Sequence, residues 1–249
     1  MERMLAATAA AEESHAWFRN LRRVARHAMV QALDSRPVGR IVDCGAGTGR
    51  NLEWLSDFGW AVGVELTPLA IDVGRRKGRN LIRGTVTSLP FPASTFDVAT
   101  SFDVLYCLDD ASEQQALAEM WRVLAPGGVV IVNAAAFGFL RGSHSALTHE
   151  VRRYTRRSLA ARLESAGFSV ERTTYTNASL FLPTLGVRAY QQLRGQATVA
   201  SEHDLEVPSP VVNWTLDRLL AAEAQVLNHV NLPVGTSVLA VGRKREPRR

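Results

Sequence analysis

Short apolar runs alternate with amphipathic stretches along this chain, and the alternation predicts its elements. Ile41-Val42, Ala61-Val62-Gly63-Val64, Leu81-Ile82, Phe96 to Val104, Val129-Val130-Ile131-Val132, Ser169 to Tyr175 and Ser237 to Gly242 read as seven strands. From Glu12 to Leu33, Trp17, Leu21, Val24 and Ala28 keep helical spacing with arginines between them, until Ser35-Arg36-Pro37-Val38-Gly39 breaks the pattern. A second helix follows Gly49 and runs to about Asp57. A third starts at Thr67-Pro68, with Thr67 as N-cap and Pro68 in the first turn. Ala111 to Leu124 is helical and stops at Ala125-Pro126-Gly127-Gly128. Thr155 can cap a helix that reaches Ala166 and ends at Gly167-Phe168.

Strands alternating with helices argue for a mostly parallel sheet with helices on both faces. One connection is too long for a simple link: about 177–235 has helical character, notably Trp214 to Val230. It is expected to be a helical cap on the sheet edge, over or beside a substrate mouth. Residues 1–249 then form a single domain, with an N-terminal helical segment (1–36), a cofactor core (37–136) and a substrate side (137–249).

The chemistry concentrates at Ile41-Val42-Asp43-Cys44-Gly45-Ala46-Gly47-Thr48-Gly49-Arg50-Asn51. A strand that runs into alternating glycines and then a helix start lets the backbone approach a ligand with no Cβ in the way. The spacing departs from the dinucleotide pattern G-x-G-x-x-G, because the third glycine, Gly49, comes one position early. Glu65 ends the second strand, the place from which a carboxylate takes ribose hydroxyls in βαβ nucleotide sites.

That loop register resembles the G-x-G-x-G loop of class I S-adenosylmethionine-dependent methyltransferases. Further segments are similar in the same order: Gly84-Thr85-Val86-Thr87-Ser88-Leu89-Pro90-Phe91-Pro92, and Trp121-Arg122-Val123-Leu124-Ala125-Pro126-Gly127-Gly128. Glu12-Glu13-Ser14-His15-Ala16-Trp17-Phe18 and His149-Glu150-Val151-Arg152-Arg153-Tyr154-Thr155 resemble the flanks of one bacterial subgroup. The resemblance implies a Rossmann-like α/β fold and S-adenosylmethionine as cofactor. It implies cofactor contacts at Asp43, Gly45, Gly47, Gly49 and Glu65, and at Leu66, Thr85, Val86 and Phe102. Thr85 stands where the family usually has an acid, which leaves the Val86 N–H as the main reader of the adenine ring. Tyr106-Cys107 stands where the subgroup often has Glu-His.

Composition narrows the rest. The formal charge is +5, but the arginines are spread along the chain and cluster only at the C-terminus, which suits solvated surface. No run approaches the roughly 20 apolar residues of a membrane span. The start is charged too soon for a signal peptide, so a cytoplasmic chain is expected. Cys44 and Cys107 form no disulfide framework or metal-ligand spacing and read as small buried residues. No metal is expected.

The expected acceptor is a small molecule, with oxygen favoured and nitrogen or carbon open. A hydroxyl acceptor benefits from a base. Tyr106, just past the fourth strand, and His149, in the loop before the Thr155 helix, are the candidates for catalysis. A ring packed under the cap and a solvated loop histidine are the plain alternatives. Trp17, His144, Arg153 and Tyr154 are the candidates for the acceptor pocket, with a salt bridge to Glu12 or Glu13 as the alternative for Arg152 or Arg153. The rival readings are a nucleic-acid methyltransferase, prompted by the charge, a nicotinamide oxidoreductase, opposed by the loop register, and a non-catalytic cofactor-binding protein. No Asn-Pro-Pro-Tyr or Asp-Pro-Pro-Tyr motif and no aromatic-basic module is present.

Overall fold

The computed structural model describes residues 11–142, 150–193 and 208–245. The strands are β1 (Arg40–Cys44), β2 (Trp60–Glu65), β3 (Leu81–Arg83), β4 (Phe96–Phe102), β5 (Leu124–Ala135), β6 (Phe168–Thr176) and β7 (Ser237–Lys244). They form one sheet in the order β3-β2-β1-β4-β5-β7-β6. The pairs β1/β2, β1/β4, β2/β3 and β4/β5 are parallel, whereas β7 runs antiparallel to both β5 and β6.

The helices are α1 (Ala16–Leu33), α2 (Leu52–Leu55), α3 (Pro68–Arg76), α4 (Asp110–Val123), α5 (Arg156–Ser165), α6 (Phe181–Leu193) and α7 (Pro210–Leu227). They cover both faces of the sheet, and the strands divide their side chains accordingly. Along β5, Val129 and Ile131 join one apolar cluster while Val130 and Val132 join the other. In β7, Leu239 and Val241 face the first cluster and Val238 and Ala240 the second. A strand buried on both faces reads as an unbroken apolar run, which is how Val129 to Val132 stands in the sequence. The first cluster takes Leu21, Val24 and Met29 from α1 and Leu227 from α7; the second takes Leu117 and Met120 from α4 and Leu163 from α5.

Several boundaries differ from the sequence expectation. The first helix is interrupted at His15, whose ring nitrogen accepts the Trp17 N–H at 3.1 Å and caps α1. The helix after the glycine loop is a single turn, because Asp57 to Gly59 leave it for the entry to β2. Thr67 precedes α3 with no side-chain cap bond, and its N–H is held by Glu65 at 2.8 Å. Thr155 does cap α5, in a reciprocal box with Ser158.

The long connection contains α6 and α7. Asn177 opens it in the left-handed region (φ 58°), and the Glu223 carboxylate of α7 accepts the Ala178 and Ser179 N–H groups at 2.9 and 2.8 Å. α7 then packs along α1. Asn213 accepts the Ala16 N–H and donates to Ser14 O, both at 2.9 Å, and Asp217 pairs with Arg19 and Arg23. The insertion therefore holds the N-terminal helix in place. Among the described residues no helix is long and apolar enough to cross a membrane.

Candidate active site

The turn after β1 is built on three glycines in the left-handed region: Gly45 at φ 80°, Gly47 at 56° and Gly49 at 76°. The Gly45 and Ala46 N–H groups bond Val64 O of β2 at 2.8 and 3.0 Å, so the turn lies back over the neighbouring strand. Glu65 braces it: one carboxylate oxygen accepts the Gly47 N–H at 2.8 Å, and the other accepts the Thr67 N–H. Each oxygen keeps acceptor capacity for a further donor.

Asp43 lies beneath the turn, 1% exposed, and accepts the Thr100 hydroxyl at 2.7 Å. Its second oxygen is buried, and the nearby Asn51 side chain also favours the charged form. Burial pushes its carboxyl up to about 7 against the opposing bond from Thr100.

A cavity of about 510 Å³ opens on Gly45 and Gly47 at the carboxyl edge of the sheet, where ligands bind in open α/β folds. Trp17 and Phe18 of α1 wall one side, Phe102 and Tyr106 the strand edge, and Leu180 and Thr184 of the insertion the far side. Trp17, Gly45, Gly47, Phe102, Tyr106 and Arg153 thus line one cavity. Gly49, Glu65, Leu66, Thr85 and Val86 lie outside this lining, toward the β2–β3 side of the turn. There Leu66 is 64% exposed, the Thr85 hydroxyl bonds that of Thr87 at 2.8 Å, and Val86 packs in the core. His144 and His149 lie outside the described residues.

Asp103 is a cavity residue that sequence reasoning missed. It follows β4 in the left-handed region at φ 60°, a strained conformation for a residue with a side chain. The Asn133 amide of β5 donates to its carboxylate at 3.0 Å. Burial drives its carboxyl up to about 7, and the Arg153 charge opposes the rise. The signal available in the sequence was an acid at the carboxyl end of a central strand. Glu12, Arg22 and Arg50 also line the cavity and were not singled out for it.

Tyr106 sits on a short 3-10 turn, Leu105–Cys107. Its carbonyl accepts the Val151 and Arg152 N–H groups at 2.8 and 3.3 Å, which fastens the segment before α5 to the end of β4. Burial, and then the nearby Asp103 charge, pushes its phenol well above the ordinary range, so the ring keeps its proton. Burial likewise drives the Cys107 thiol up to about 12, and the Cys44 thiol is raised too.

Two expectations are corrected. Tyr154 is not in the cavity wall: it is 1% exposed in the core, and its hydroxyl donates to Glu113 at 2.8 Å. The arginines beside it do not pair with Glu12 or Glu13. Arg152 pairs with Asp110 and Glu113, and Arg153 makes a two-bond pair with Glu150 at 2.7 and 3.0 Å. Glu13 instead takes Arg50, Lys77 and Arg79.

The turn suits a nucleoside cofactor with an amino-acid arm on an observation of its own. Gly47 faces the cavity with bare backbone: a Cβ there would stand in the gap between the turn and the Glu12 carboxylate, at van der Waals contact, 3.7 Å, from one of its oxygens. Residues 42–132 match the family described as "Methyltransferase domain". A probable S-adenosylmethionine-dependent methyltransferase of Mycolicibacterium smegmatis is 34% identical over 170 residues, 66% of this chain and 63% of that one. A demethylmenaquinone methyltransferase of Renibacterium salmoninarum is 36% identical over 111 residues, 43% of this chain and 46% of that one. The chain thus spans about half to two thirds of the length of these curated relatives. Among solved structures, a Haloferax volcanii putative methyltransferase superposes with a TM-score of 0.60 at 20% identity, over 100% of this chain and 97% of that one. A Burkholderia thailandensis 1,6-didemethyltoxoflavin-N1-methyltransferase, solved with S-adenosylhomocysteine, superposes at 0.55 and 16% identity, over 92% and 81%. With the glycine turn and the bracing carboxylate inside the matched residues 42–132, the chain carries a methyltransferase domain and is similar over it to S-adenosylmethionine-dependent methyltransferases.

Proposed function

We propose that this protein transfers a methyl group from S-adenosylmethionine to a small-molecule acceptor, with a hydroxyl oxygen as the favoured site. The observation that carries this is one cavity shared by the glycine turn and the insertion, which leaves room for a second, small ligand beside the cofactor. When bound, S-adenosylmethionine supplies a methyl group on a positively charged sulfur. Gly45, Gly47 and Gly49 give it close backbone approach, and Glu65, with acceptor capacity left, takes its ribose hydroxyls. Leu66, Thr85 and Val86 would border the adenine, and Phe102 and Asp43 would stand on the side of the amino-acid arm. Trp17, Phe18 and Tyr106 exclude water and orient the acceptor, with Arg153 at its rim. The relatives named for demethylmenaquinone and toxoflavin chemistry support a small acceptor.

Two tests follow. S-adenosylhomocysteine should bind in calorimetry where NAD does not. Glu65→Ala should weaken it about tenfold to a hundredfold, the worth of charge-assisted bonds to the ribose. Unchanged affinity in that variant removes the ribose role.

The second test concerns the proton of a hydroxyl acceptor. Asp103 and His149 are the two candidates to receive it. Asp103 becomes a carboxylate only as pH rises through about 7, so its use gives turnover that climbs with pH across that value. Asp103→Asn should then lower turnover roughly 10²–10⁴-fold and flatten the profile. A rate near wild type with the rise intact, together with loss in His149→Ala, assigns the role to His149. A screen of phenols, hydroxyquinones and hydroxy acids with labelled cofactor supplies the acceptor.

A further inference from the structure

The insertion turns a graded face to the cavity. Leu180, Thr184 and Arg188 line it and stand four residues apart, so they share one side of the helical run that α6 continues. That side passes from an apolar group to a hydroxyl to a cation. Leu182, Val187 and Tyr190 of the same helix are left exposed, at 72%, 53% and 53%. A helix that shows apolar side chains to solvent and turns an arginine inward reverses what burial alone would choose. Two neighbours fit around that arginine. Its Nη1 donates to Gln191 Oε1 at 2.7 Å, which steadies one edge of the guanidinium on its own helix. Gly142 makes room for it: a Cβ there would overlap the Arg188 guanidinium.

The carboxylates on this side of the cavity are already engaged. Glu150 is shared by Arg153, at 2.7 and 3.0 Å, and Arg141, at 3.1 Å. Asp103 accepts from the Asn133 amide, and burial raises its carboxyl, so it opposes an incoming anion less than an ordinary aspartate would. Among the described residues this side of the cavity therefore leans positive, which favours an anionic group on the ligand. A guanidinium presents planar donors that match the two oxygens of a carboxylate.

We propose that Arg188 receives a carboxylate of the acceptor, so that the substrates are hydroxy acids: the insertion holds the acid group while the hydroxyl at the other end takes the methyl group. This rests on the hydroxyl-acceptor reading above and names the acceptor class. Pinning one end of a small molecule fixes the direction of the other, which an in-line transfer requires. The insertion is then the part of the chain that selects the substrate, by charge at Arg188 and by apolar contact at Leu180.

The test follows methyl transfer from labelled S-adenosylmethionine, with the full chain, to a set of aromatic and aliphatic hydroxy acids, each beside its neutral carboxamide. The acids should exceed the amides in kcat/KM about tenfold to a hundredfold, the worth of a charge-assisted pair. Arg188→Gln should bring that ratio near unity by raising KM for the acid with kcat little changed, the mark of lost ground-state binding. Arg188→Lys, which keeps the charge without the fork, should recover part of it. Gly142→Ala should lower the ratio too, because the added methyl group displaces the guanidinium without removing it. Melting curves of the free variants check that they fold. A wild type that takes acids and amides alike, or an acid preference that survives in Arg188→Gln, overturns the subsite and leaves the hydroxyl reading standing. Label recovered as a base-labile ester places the carboxylate at the methyl group and overturns the subsite as well. Transfer to neither set by a wild type that binds S-adenosylhomocysteine overturns the hydroxyl-acceptor reading itself, and the subsite with it.

Discussion

Gly45→Ala is expected to reduce the unfolding free energy by roughly 2–5 kcal/mol. Two costs add. The residue sits at φ 80°, where an L side chain pays about 1–2 kcal/mol. A Cβ there would lie 2.3 Å from Val104 Cγ2 and 3.0 Å from Cγ1. Val104 is β-branched and stiff, so it cannot swing aside without disturbing the start of the Tyr106 turn, and such overpacking costs about 1–3 kcal/mol. Gly78 supplies the control. It has nearly the same backbone angle, φ 75°, but nothing within 4 Å of its would-be Cβ. Gly78→Ala should therefore cost only the strain, about 1–2 kcal/mol. Urea denaturation midpoints measure both. A Gly45→Ala loss no larger than that of Gly78→Ala would mean that the turn does not press on Val104.

Glu113→Ala is expected to cost roughly 3–5 kcal/mol, the usual penalty for removing one partner from a buried ion pair. The Glu113 side chain is fully buried in α4, yet it gathers Arg152, Arg162 at 3.1 Å and the Tyr154 hydroxyl at 2.8 Å. Without it, the two guanidiniums share only the exposed Asp110, and the Tyr154 hydroxyl is left buried without its acceptor. Tyr154→Phe removes a donor and leaves the ion pairs, so it should cost only about 1–2 kcal/mol. Thermal unfolding of the two variants separates the terms. A loss under about 1 kcal/mol in Glu113→Ala would sink the idea that this carboxylate fixes α5 to α4.

Comparison of particular residues shows which features a sequence can carry. The glycine turn is legible because its three glycines occupy left-handed backbone positions that other residues resist, and because β1 leads into it with the apolar pair Ile41-Val42. The capping of α5 is legible because Thr155 and Ser158 stand three apart and satisfy each other locally. Tyr154 is not legible. It stands in a run of arginines and reads as a residue of the acceptor pocket, and its partner Glu113 is 41 residues away on another helix. The same holds for Glu12: adjacent acids look alike in a sequence, and only the fold sends Glu13 to three cations and Glu12 to the glycine turn. Asp103 shows a third kind of gap. Its position at a strand end is readable, but its strained backbone and its bond from Asn133 arise from the β4–β5 pairing. The parallel order of the first five strands follows from alternation, whereas the place of β7 between β5 and β6 has no local mark.

That placement sets a timetable for synthesis on the ribosome. β6 joins the sheet only through β7, and residues 177–236 must be made before β7 emerges. At about 5–20 residues per second the roughly 100 residues between β5 and β7 leave the long β5 unpaired along one side for about 5–20 s. Val129-Val130-Ile131-Val132 is then an open, apolar edge that invites strands from other nascent chains. The strand that covers this edge, β7, is made more than a hundred residues after it, so slow or interrupted translation of the insertion is where this protein is most exposed to aggregation.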